Sequence, residues 1–85
     1  MTPSYQRALE ELETVLPKTD AARILATAAT AIGVDAETLT PIELARLVEG
    51  PLRTLLSEDL QPQRAKDVLG RLTHLANVLH LIGGT

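Results

Sequence analysis

The sequence predicts an all-α fold, a small bundle of four to five helices in which the last helix is the longest. Hydrophobic residues make up 45% of the 85 positions, and most of them are leucine or alanine, which are strong helix formers. They recur at spacings of three and four residues, and residues typical of helix caps precede them. No stretch shows the strict alternation of a half-buried strand. Residues 1–85 are therefore interpreted as a single helical domain.

The first helix is predicted to run from Pro3 to about Leu16. Thr2 is a typical N-cap residue, and the fixed φ of proline suits the first helical position. Pro17 should end the helix, because proline lacks the N–H that the next helical bond needs. The apolar face of this helix consists of Tyr5, Ala8, Leu9, Leu12, Val15 and Leu16.

The second helix is predicted to start at the cap residue Asp20 and to run through Ile32. Gly33 fits a left-handed residue after the helix, followed by Val34 as an apolar residue that folds back. A second face carries only small residues, namely Ala22, Ala26 and Ala29. A helix that is apolar on most sides is expected in the middle of a bundle.

The third helix has the strongest start signal in the sequence. Thr40 and Glu43 have the spacing of a capping box, in which each side chain bonds to the other residue's amide, and Pro41 occupies the first helical position. The helix is predicted to run to about Glu49.

The fourth helix is predicted to follow a break or kink at Gly50-Pro51, because the proline cannot donate to the carbonyl four residues earlier. It is expected to be short, with a loop over residues 57–61 after it. Its apolar positions are Leu52, Leu55 and Leu56.

The last helix is predicted from Pro62 to about Ile82, a length of roughly 30 Å. Its broad apolar face exceeds what the core of so small a chain needs, so we expect it to bind a partner, most simply a second copy in a twofold dimer. Asp67 and Arg71, four residues apart, should form an exposed ion pair. The predicted partner-binding residues are Leu72, Leu75, Val78, Leu79, Leu81 and Ile82.

Composition argues against several other classes of function. The net charge of −3 and the absence of a basic stripe do not favour nucleic-acid binding. No apolar run reaches the roughly 18–20 residues of a membrane span, and no signal segment is evident. We therefore expect a cytoplasmic protein that does not bind membranes. Neither the carboxylates nor the serines form a catalytic pattern, so no enzymatic activity is predicted.

The only histidines, His74 and His80, lie six residues apart and point in different directions on one helix, so no metal site or cofactor is predicted. A histidine on a long bundle helix resembles the nucleophile of histidine phosphotransfer domains, which implies such a role for His74 as an alternative. In that family Leu-Lys-Gly closely follows the histidine, whereas Leu75-Ala76-Asn77 follows His74.

A second alternative is a small helical nucleic-acid-binding regulator. It would use the basic residues Arg64, Lys66 and Arg71 of the last helix. Against these alternatives, the sequence best fits a non-enzymatic interaction or regulatory module, an adaptor that binds a protein partner or itself through apolar helix faces.

Overall fold

Five α-helices and one short 3₁₀ turn form the part of the chain that the computed structural model describes, residues 2–83, with side chains described for residues 2–81. No strand occurs within this range. The predicted all-α bundle with the longest helix last is confirmed. The helices are α1 (Pro3–Glu13), α2 (Lys18–Ala31), α3 (Pro41–Glu49), α4 (Pro51–Asp59) and α5 (Pro62–Gly83), and the 3₁₀ turn is Ala36–Thr38.

The long helix α5 is the centre of the bundle. Its 22 residues correspond to a length of about 33 Å, close to the longest dimension of the molecule, 34 Å. Helices α1, α3 and α4 all pack against it, and α3 packs most extensively. Helix α2 packs mainly on α4 and α1. Every other described helix therefore takes its position, directly or through a neighbour, from α5.

The expected central position of α2 is wrong. Ala29 of its small-residue face is buried, but Ala22 is only half-buried and Ala26 is exposed. The alanines leave this face without large side chains, and α5 rather than α2 supplies the broad apolar face around which the other helices assemble.

The start of α1 is fixed by Thr2, as predicted. The Tyr5 amide donates to Thr2 Oγ1 over 3.3 Å. Thr2 makes two further bonds that the sequence did not suggest: its hydroxyl donates to the Leu39 carbonyl over 2.6 Å, and its amide donates to the Glu37 carbonyl over 3.0 Å. The helix ends at Glu13, three residues before the predicted end.

Helix α2 begins at Lys18, two residues before the predicted cap. Pro17 occupies the N-cap position and makes no side-chain cap bond. Asp20 lies inside the helix and pairs with Arg23 over 3.3 Å. Proline already sets the backbone for a helix start, so the aspartate is not needed as a cap.

The predicted end of α2 is confirmed to within one residue. Gly33 has φ +77°, and its amide donates to the Thr30 carbonyl over 3.0 Å. The Val34 amide donates to the Ala29 carbonyl over 3.0 Å, and its half-buried side chain packs on the core. This pair of bonds is the Schellman motif.

The capping box of α3 is also confirmed. The Glu43 amide donates to Thr40 Oγ1 over 3.2 Å, and the Thr40 amide donates to Glu43 Oε1 over 3.0 Å. At Gly50, with φ −122° and ψ −111°, the chain leaves the helical conformation, so α3 and α4 are two helices. Helix α4 continues to Asp59, which corrects the predicted start of the loop at Ser57.

The core runs along the whole bundle and is almost entirely leucine, alanine and valine. Leu25 of α2 and Leu72 of α5 are both fully buried. The largest side chains with no exposed surface are Leu12, Leu25, Leu39, Leu44, Leu47, Leu52, Leu56, Leu72 and Val68.

Candidate protein-binding surface

Large apolar side chains reach the surface mainly at one end of the bundle. Among the described residues, Leu81 is 82% exposed and Ile42 is 52% exposed. The end of α3 lines a groove with the first half of α5, so these helices run antiparallel and Ile42 lies beside the second half of α5. Both exposed side chains therefore belong to the end where α5 finishes.

The last turns of α5 carry a row of apolar side chains on the outer side of the helix. Leu75, Val78 and Leu81 are three residues apart, so successive members are displaced by only about 60° around the helix axis. Leu75 and Val78 are half-buried, and Leu81 is exposed. We call these three residues the α5 stripe. Burial therefore decreases along the stripe towards the end of the helix.

The segment around the α5 stripe is uncharged. From Leu72 to the end of the sequence there is no Asp, Glu, Lys or Arg. The nearest fixed charge on α5 is Arg71, whose Nη2 lies 2.6 Å from Asp67 Oδ2 and whose Nη1 lies 3.9 Å from Glu11 Oε2. The predicted pair of Asp67 and Arg71 is thus confirmed, and α1 adds a second carboxylate to it.

A shallow groove between α1 and α5 leads from these ion pairs to the stripe. Its polar end contains Glu11 and Arg71, and its apolar end contains Leu75 and Val78, with His74 between them. This groove changes from charged to apolar along a single helix face. Such a face can bind a partner with an apolar contact bordered by polar groups.

The six predicted partner-binding residues do not all reach the surface. Leu72 is fully buried and has no side-chain surface to offer, a correction that follows from its position at the centre of the inner face. Leu75, Val78 and Leu79 are half-buried, and Leu81 is exposed. The side chain of Ile82 lies outside the described residues.

Sequence reasoning missed Ile42 as an exposed residue. It lies about 160° around the axis of α3 from the fully buried Leu44. A helical wheel centred on Leu44 could have revealed this. Because Ile42 lies on the α3 side of α5, it is outside the α5 stripe, which borders the α1 side.

The residues of the two alternative functions are all solvent-facing. His74 is exposed, as are Arg64 and Lys66, and the other histidine, His80, is exposed as well. In the described part of the chain, no group of three His, Cys, Asp or Glu side chains is arranged to hold a metal ion. Arg71 is engaged by carboxylates from two helices, which reduces the positive charge that it presents to a phosphate backbone.

Two further findings bear on the surface. Within residues 2–83, no helix combines the length and apolar character needed to cross a bilayer. Comparisons of the chain with protein-family models, with curated proteins and with solved structures found no match.

Proposed function

We propose that this protein is a non-enzymatic interaction module that binds other protein surfaces, in the first place a second copy of itself, through the second half of α5. The observation that carries the proposal is the exposed end of the α5 stripe, with Leu81 82% exposed to solvent. A leucine exposed in this way gains roughly 1.5–3 kcal/mol when it is fully buried.

The surroundings of the stripe support an apolar contact. The uncharged segment after Arg71 allows a partner to cover the helix without removing a fixed charge from water. The ion pairs of Arg71 lie next to the stripe, where they can form part of a polar rim. Small chains without disulfides or metals also gain stability by oligomerisation.

The proposal is tested by sedimentation equilibrium over a wide range of concentrations, with Leu81→Arg as the main variant. Because Leu81 is mostly exposed, arginine at this position should leave the fold intact, which circular dichroism can verify. We expect the wild-type protein to associate and the variant to remain monomeric, because association would bury an unpaired charge. Val78→Arg, in the middle of the stripe, should have the same effect on association.

Ile42→Arg is the matched control. It also places an arginine at an exposed apolar position near the same end of the bundle, but on the α3 side of α5. Association should persist in this variant. A wild-type protein that stays monomeric at high micromolar concentration would refute self-association, and equal loss in both variants would refute the assignment to the stripe.

A further inference from the structure

We draw no further inference here: the strongest candidate, the exposed apolar end of α5 around Leu81, belongs to the surface already described, and nothing in the structure shows what covers it.

Discussion

The outer face of α5 is charged in the first half of the helix and apolar in the second half. In the first half, Asp67 and Arg71 occupy the outer face and are joined to each other and to α1 by ion pairs. In the second half, Val78 and Leu81 occupy positions on the same side of the helix, and no fixed charge accompanies them. The inner face is apolar in both halves. Packing within the bundle explains why the inner face of α5 is apolar along the helix. It does not explain why the outer face of the second half is apolar.

Replacing two leucines of α5 by alanine should have very different effects on stability. Leu72→Ala should lower the free energy of unfolding by about 2–5 kcal/mol, because a fully buried side chain is lost and a cavity remains. Leu81→Ala should change it by less than about 0.5 kcal/mol, because the side chain is mostly exposed. Urea unfolding of the dilute monomer measures both values, and similar losses would contradict the assignment of the two faces.

Leu25→Ala extends this test to a helix that does not pack extensively on α5. The residue is fully buried in α2, so Leu25→Ala should also lower the free energy of unfolding by about 2–5 kcal/mol. A value in the range of a surface residue would show that α2 packs less firmly than its burial indicates.

Replacing Gly70, near the boundary between the two halves of α5, by alanine should increase the stability of the protein. It is exposed, and a Cβ atom added to it would meet no atom within 4 Å. Gly70→Ala should therefore raise the free energy of unfolding by roughly 0.5–1 kcal/mol, because alanine has the higher helix propensity. Gly33→Ala is the control: with φ +77° it should destabilise the protein instead.

The ion pairs in the first half of α5 should contribute little to the stability of the protein. Asp67→Asn removes an exposed contact between residues i and i+4, which is worth a few tenths of a kcal/mol. The difference from wild type should shrink further in high salt. A loss of more than about 1 kcal/mol would contradict the interpretation of Asp67 and Arg71 as an exposed pair that contributes little to stability.

The smallest effect is expected for the exposed imidazole between the two halves. His74→Gln should leave the unfolding curve nearly unchanged, because the side chain is exposed, and the association constant should change little, because glutamine is a polar side chain of similar size at this position in the groove beside the stripe. Thermal unfolding and sedimentation at neutral pH measure the two quantities. If binding collapsed in this variant while Val78→Arg was tolerated, the phosphotransfer alternative would replace the interaction module.

The sequence predicts best where a local rule determines the structure. The capping box of Thr40 and Glu43 and the left-handed Gly33 involve atoms within five residues of each other, so residue type and spacing are sufficient to identify them. The buried face of α5 is equally clear, since Leu72 lies at the centre of a long apolar arc. These features depend little on the rest of the fold.

Prediction fails where the outcome depends on which helices become neighbours. The small residues of α2 suggested a central helix, yet Ala26 is exposed because α5 takes that position. The 3₁₀ turn was also missed. Asp35 caps it by accepting from the Glu37 amide over 3.1 Å, in a segment too short to show helical periodicity. For the candidate site, the sequence identified the helix but could not separate buried Leu72 from exposed Leu81.

The bonds of Thr2 to the segment before α3 join two parts of the chain that are distant in sequence. They join the residue before α1 to Glu37 and Leu39, and so close a loop of about 35 residues that contains α1 and α2. Closing such a loop costs entropy, so these bonds should form only when α1 and the 3₁₀ turn are already packed together. Slow hydrogen exchange at the Thr2 amide would therefore report the docking of these two elements, separately from any event on α5.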